Sequence, residues 1–295
     1  MSQRAPVNPG LLFGVGAYLL WGLMPLYFRL IGGVPATQVL AHRVLWSVAL
    51  LLIVVAALRR FGAIRAAATP RVLGALAASA VLIAVNWLVY IWAVQHAHVL
   101  EASLGYYINP LVNVALGVLV LGERVRPVQG AAVALAAAGV GVMALGGGAL
   151  WISLTLAMSF GFYGLIRKLV AIDALGGLLV ETAVLAPLAA LVLARAAAAG
   201  EGAFGADPRL DALLVASGVI TAVPLLLFAA AARRLRYATV GLLQYIGPTI
   251  QFGLAITLFG EPLRTVHLWT FGLIWTGCAI YAWDTLRASR EVVPA

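Results

Sequence analysis

Apolar residues run along this chain in long blocks, and polar ones gather in the gaps. A helix needs roughly 20 mainly apolar residues to cross a bilayer. Ten such blocks follow one another, at about 10–30, 37–58, 71–94, 100–121, 128–146, 149–168, 176–195, 210–232, 238–260 and 266–286. The longest gap, AAAAGEGAFGADPR at 196–209, is too short for a soluble domain. The pattern predicts an all-α integral membrane protein with ten transmembrane helices. The first block has full spanning length with no small-residue cleavage site at its end, so it reads as a retained helix and not a signal peptide.

Composition strengthens this reading. The chain is 64% hydrophobic and 10% charged, whereas soluble domains carry about 25% charged residues. Its net charge of +9 comes from basic residues set in the gaps between blocks. Nucleic-acid binding would want clustered Lys/Arg with aromatics on a soluble face. The expected partners are therefore the bilayer and a small-molecule substrate, with no nucleic acid. Basic residues concentrate on cytoplasmic loops. With the N-terminus in the cytoplasm, that side holds 14 of the 19: Arg4, Arg59, Arg60, Arg65, Arg71, Arg124, Arg126, Arg167, Lys168, Arg233, Arg234, Arg236, Arg287 and Arg290. Both termini are then cytoplasmic. The lone cysteine, Cys278, allows neither an intramolecular disulfide nor a cysteine metal cluster.

The chain also repeats itself. An ungapped shift of 138 residues lays YINPLVNVALGVLVLGERVR (107–126) on YIGPTIQFGLAITLFGEPLR (245–264), with seven identities in 20. They include Pro110 with Pro248, Gly122 with Gly260 and Glu123 with Glu261. The same shift pairs Gly139 with Gly277, and Arg43 with Glu181. Two five-helix halves follow, 1–147 and 148–295. An odd helix number inserts the second half upside down, a pattern of transporters.

Several stretches resemble the drug/metabolite transporter superfamily, its EamA family and, within that, the RarD branch. They are GVGAYLLWGLMPLYFRL (14–30), LAHRVLWS (40–47), NWLVYIWAV (86–94), EASLGYYINPLVNVALGVLVLGERV (101–125), YGLIRK (163–168), VETAVLAP (180–187) and LLQYIGPTIQF (242–252). The resemblance implies two inverted EamA repeats and a central cavity lined by helices 1, 3, 4, 6, 8 and 9. It also implies export as the usual activity, in a bacterial-type inner membrane. A monomer is sufficient for this, and a homodimer is compatible with it.

The candidate residues interrupt the apolar blocks. Pro110 and Pro248 fall near mid-depth, where each removes an N–H and displaces the carbonyl four residues earlier. In lipid such a carbonyl must find a partner or line a cavity. Ser103, Tyr106, Pro110 and Asn113 share a helical face, and Gln244, Pro248 and Gln251 repeat it. Tyr107, Asn109 and Tyr245 neighbour these faces, and which of Tyr106 and Tyr107 points inward stays open. Other blocks offer Trp21 with Pro25, Asn86 with Trp87 and Tyr90, Tyr163, and Pro224. A packing kink is the plain alternative for the prolines, and an interfacial belt for the tryptophans. Candidates for gating or coupling are Arg43, Trp46, Glu101 and Glu181. Intramembrane charges are functional candidates by default. Arg43 could pair with Glu101 in an outer gate, or snorkel to the headgroups. Arg167 and Lys168 are the natural partners for Glu181. Glu123 and Glu261, in the repeated Gly-Glu pair, suit a capping or loop-fixing role. His96 and His98 lack further ligands nearby, so no metal site and no cofactor are expected.

These features favour a secondary exporter of amphipathic metabolites or drugs, with aromatic or neutral amino acids plausible. No phosphate-loop motif is present for hydrolysis-driven transport. A facilitator or exchanger without proton coupling is the alternative. An intramembrane transferase would want clustered carboxylates for Mg²⁺, and no Asp-rich motif is present. A channel would want a continuous polar filter, which the kinked faces do not supply.

Overall fold

A computed structural model describes residues 9–122, 126–146, 149–205, 207–232, 234–235 and 243–291. Twelve helices and no strand occur among them: α1 (Pro9–Gly22), α2 (Met24–Leu30), α3 (Ala36–Ala57), α4 (Phe61–Ala67), α5 (Pro70–Gln95), α6 (Val99–Leu121), α7 (Pro127–Leu145), α8 (Leu150–Leu169), α9 (Ala174–Ala198), α10 (Pro208–Ala232), α11 (Ile246–Thr257) and α12 (Thr265–Glu291). Counting Pro9–Leu30 as one, eight helical stretches among the described residues are long and apolar enough to span a bilayer. They cover the first eight apolar blocks. The ninth and tenth blocks differ: α11 holds only 12 residues and falls among the shorter apolar helices, and α12 is not among the eight. Residues 238–242 of the ninth block lie outside the described residues, as do Arg4, Arg124, Arg233, Arg236 and Glu123.

Local chemistry sets the helix ends. The first block breaks between α1 and α2, where Pro25 occupies the first turn of α2. Proline lacks the N–H that a mid-helix residue would donate, so it is accommodated at a helix start. Pro25 also displaces the carbonyl four residues back, on Trp21. That oxygen accepts a hydrogen bond from Gln251 Nε2 at 3.1 Å, so the orphaned group is satisfied by another helix. The same logic corrects the reading of Pro248 as a mid-helix kink. Gln244 and Tyr245 form a turn, and Pro248 sits in the first turn of α11, where no intrahelical N–H is needed. Pro110 does lie inside its helix.

Helices corresponding under the 138-residue shift pack on each other: α3 on α9, α6 on α11 and α7 on α12. Small residues bring the last pair close. A Cβ on Gly139 would stand 3.0 Å from the Thr270 carbonyl oxygen, and one on Gly277 would stand 2.7 Å from that of Ala132. Residues 132 and 270 are themselves counterparts, so one close approach is made twice. The repeated Gly122 and Gly260 both adopt left-handed backbone, with φ of 67° and 66°, a conformation open to glycine at little cost.

Polar contacts group the connections into two ends. At one end the Glu261 carboxylate accepts the backbone N–H groups of Val99 at 2.7 Å and Leu100 at 2.8 Å. There too Gln38 Nε2 donates to the Glu201 carbonyl at 3.0 Å. At the other end Arg60 pairs with Asp173 at 2.7 Å and Arg126 with Asp284 at 2.8 Å.

Candidate functional site

The buried polar side chains gather where α3, α5, α6, α8 and α10 meet. Asn86, on α5, is 1% exposed. Its Nδ2 donates to the Leu156 carbonyl and to Ser159 Oγ on α8, each at 3.0 Å. Its Oδ1 accepts from the Tyr106 hydroxyl of α6 at 3.1 Å. Tyr106 packs edge-on against Tyr90, with ring centroids 5.5 Å apart, and Tyr90 in turn against Phe28 at 5.9 Å. An unpaired amide in hydrocarbon costs several kcal/mol, so this network is satisfied internally.

Arg43 borders this cluster. It is buried, so the snorkelling alternative does not hold. Its Nε donates to Thr221 Oγ1 on α10 at 2.7 Å, and its guanidinium lies 4.2 Å from the Trp87 ring centroid. The expected pair with Glu101 does not form. Glu101 instead faces His98 Nδ1 at 3.4 Å and His267 Nε2 at 4.0 Å. The reason is direction. Arg43 points from α3 toward α5 and α10, while Glu101 sits in the first turn of α6 against the start of α12.

Glu181 occupies the corresponding place on α9; it and Arg43 are each the eighth residue of their helices. Its carboxylate accepts from the Ser79 hydroxyl in a short hydrogen bond. The Tyr163 hydroxyl donates to it at 3.4 Å, and Arg167 Nη1 stands 3.7 Å away. Gly177 makes the approach of Arg167 possible, because a Cβ there would fall 1.5 Å from Nη1. At the opposite end, burial pushes the Glu261 carboxyl above the usual carboxylate range, and its two backbone N–H donors pull it back.

The remaining expected residues divide into separate neighbourhoods. Tyr106 belongs to the interior cluster. Tyr107 points elsewhere: its hydroxyl meets Thr249 Oγ1 at 2.5 Å and its ring stacks on Tyr245 at 6.1 Å. Both rings line a crevice of about 330 Å³ with Trp275 and Cys278. Ser103 donates to the Pro248 carbonyl at 2.8 Å, tying α6 to α11. Trp21 packs against Tyr18 and Phe228. Pro25 and Pro224 are buried, and so is Asn109, whose Oδ1 has no hydrogen-bond partner among the described residues. Asn113 is exposed and lies outside the cluster. Trp46 also lies outside it, packed against Phe204 at 6.2 Å. His96 and His98 stack on Trp92. A second opening of about 670 Å³, lined by Trp92, Trp151 and the 32–37 connection, lies beside them.

This architecture has relatives. The EamA-like transporter family matches residues 8–145. Protein RarD of Escherichia coli (strain K12) is 47% identical over 285 residues, 96% of both chains. The chain belongs to the EamA-like transporter family, in its RarD branch. An uncharacterized transporter of Pseudomonas aeruginosa is likewise 47% identical, over 98% of each chain. A crystal structure 20% identical to this chain shares the fold, with a TM-score of 0.60 over 94% of this chain and 98% of that one.

The chain is thus a multi-pass membrane transporter of the EamA/RarD family. Sequence reasoning missed Phe28 and Ser79 as contributors to its buried polar sites. Phe28 is one apolar residue among many, and nothing in its spacing marks it. Ser79 stands alone in a run of alanines, and its role appears only once α9 places Glu181 beside it.

Proposed function

We propose that this protein is a secondary exporter of small amphipathic metabolites or drugs, working by alternating access between two inverted five-helix halves, 1–147 and 148–295. Ten spans with both termini in the cytoplasm of a bacterial inner membrane complete the proposal. The carrying observation is the interior cluster of Asn86, Tyr90 and Tyr106 beside Arg43 and Trp87, a set of polar and aromatic groups walled by helices from both halves. Mutual packing of three counterpart pairs, α3 with α9, α6 with α11 and α7 with α12, supports the two-fold arrangement. Inverted repeats commonly place a substrate site at their interface. Relatives named as transporters favour this reading over an intramembrane transferase.

The test is counterflow uptake of a panel of neutral, acidic and aromatic metabolites by proteoliposomes. Uptake of at least one class, diminished by Asn86→Ala and Tyr106→Phe, is expected. Unchanged uptake in both variants removes the site, and absence of uptake across the panel removes the transporter assignment. A second reading concerns energy. Glu181, fully buried within α9, is our candidate proton carrier, and an uptake rate indifferent to an imposed pH gradient would favour facilitation or exchange.

A further inference from the structure

Arg43 is a buried cation that meets no anion among the described residues. Among the described residues no carboxylate lies within 4 Å of it, and its sole hydrogen-bond partner is the neutral Thr221 hydroxyl. A guanidinium carries five N–H donors, so the four on its terminal nitrogens have no partner among those residues. The Trp87 face at 4.2 Å and the Phe28 face at 5.8 Å offset part of the cost of burying the charge. They supply no acceptor. Among the described residues no anionic group neutralises the charge, which is expensive at this depth.

The hydroxyls around Arg43 sharpen the requirement. Tyr27 donates its proton to the Leu213 carbonyl at 2.9 Å, and Tyr106 donates to Asn86. Tyr90 differs: its hydroxyl is buried and has no partner among the described residues. Its ring packs on Phe28, whose face lies 5.8 Å from the Arg43 guanidinium. The unused polar groups here are thus four N–H donors and one hydroxyl that can donate as well. A carboxylate is acceptor-only and suits such a set.

An ammonium group would find no free carboxylate here: Asn86 Oδ1 accepts from Tyr106, and the buried Glu181 is engaged by Ser79, Tyr163 and Arg167. The Trp87 and Phe28 ring faces lie against the guanidinium, and Tyr90 packs on Phe28. We infer that the transported molecule is an aromatic carboxylic acid without an ammonium group, its carboxylate held by Arg43 and the Tyr90 hydroxyl. This rests on the transporter reading and narrows it, setting aside amino acids.

The experiment is equilibrium dialysis of radiolabelled phenylacetate against the purified full chain in detergent, with phenylacetamide, phenylalanine and phenethylamine as competitors. Saturable binding of phenylacetate is expected, displaced poorly by the other three. Arg43→Gln should weaken it by more than about thirtyfold, the lower bound for truncating one partner of a buried charged contact. Tyr90→Phe should weaken it about two- to tenfold. Absence of saturable phenylacetate binding to the wild type overturns the inference, and so does equal competition by phenylacetamide. A monodisperse Arg43→Gln variant that binds as the wild type does the same. Should Arg43→Gln fail to fold, the decision falls to Tyr90→Phe and the preference for acid over amide. Counterflow keeps the two readings apart. Uptake of neutral solutes with no preference for carboxylates overturns this inference and leaves the transporter standing. Binding of phenylacetate with no uptake of any solute overturns both the transporter reading and the inference that the acid is transported.

Discussion

At the level of single residues, Glu261 offers a direct measurement. Its carboxylate accepts two of the N–H groups that the start of α6 leaves without intrahelical partners. Glu261→Ala removes both and should lower stability by about 1–2 kcal/mol, as loss of an N-cap does. Glu261→Gln keeps one acceptor oxygen and should fall between that variant and the wild type; thermal unfolding in detergent reads the order. The sequence foretold a capping or loop-fixing role for this residue, because a Gly-Glu pair closing an apolar block is made twice. It gave no sign that the capped helix would be α6, more than 160 positions away. Gly177 makes a second case. Its missing side chain is the space that Arg167 uses to approach Glu181. Gly177→Ala should therefore change counterflow rates by the same factor as Arg167→Gln. The double variant should add nothing, since both remove one interaction. Additive effects would mean that Arg167 acts apart from Glu181. Arg167 was within reach of sequence reasoning through its charge, whereas a glycine that matters for what it lacks leaves no such mark.

Among elements, the α7–α12 contact is the most exposed to test. Gly139 and Gly277 each bring the other helix's backbone near 3 Å from where a Cβ would stand, at 3.0 Å and 2.7 Å. Leucine at either position has no room, and overpacking typically costs about 1–3 kcal/mol or more. Gly139→Leu and Gly277→Leu should both lower the unfolding midpoint, and Gly277→Ala should do so more than Gly139→Ala. Gly130, also on α7, has open space around it. Gly130→Ala should be neutral or slightly stabilising, because alanine is the better helix former by about 1 kcal/mol. Equal effects at all three glycines would sink the packing argument. The all-helical membrane class and the first eight spanning stretches were legible because lipid requires long apolar runs, and caps and prolines mark where they end. What escaped the pattern were features decided by a partner. The connection after α3 holds a short helix, α4, which periodicity did not announce. The break at Leu23 depends on a neighbour that satisfies the freed carbonyl, as Gln251 does for Trp21.

At the scale of the whole molecule, the inverted arrangement makes a prediction that no single helix could. The connection after α3 (residues 58–69) corresponds under the repeat to the connection after α9 (residues 196–207). If the halves were parallel copies, both connections would face the same side of the membrane. If they are inverted, the two face opposite sides. The contacts already separate them, since Arg60 pairs with Asp173 at one end while Glu201 accepts from Gln38 at the other. The native Cys278 is buried, which keeps background labelling low. Ala66→Cys and Ala199→Cys place a thiol at exposed positions in the two connections. In intact spheroplasts a membrane-impermeant maleimide should label Ala199→Cys and spare Ala66→Cys, and in inside-out vesicles the pattern should reverse. The direction follows from charge, because Arg59, Arg60 and Arg65 crowd the first connection and basic residues are retained in the cytoplasm. Labelling of both thiols from one side would refute the inversion. Labelling of the opposite pair would keep the inversion and turn the whole molecule over. Either result bears on mechanism, because two halves facing opposite ways can expose one interior cluster to each side in turn.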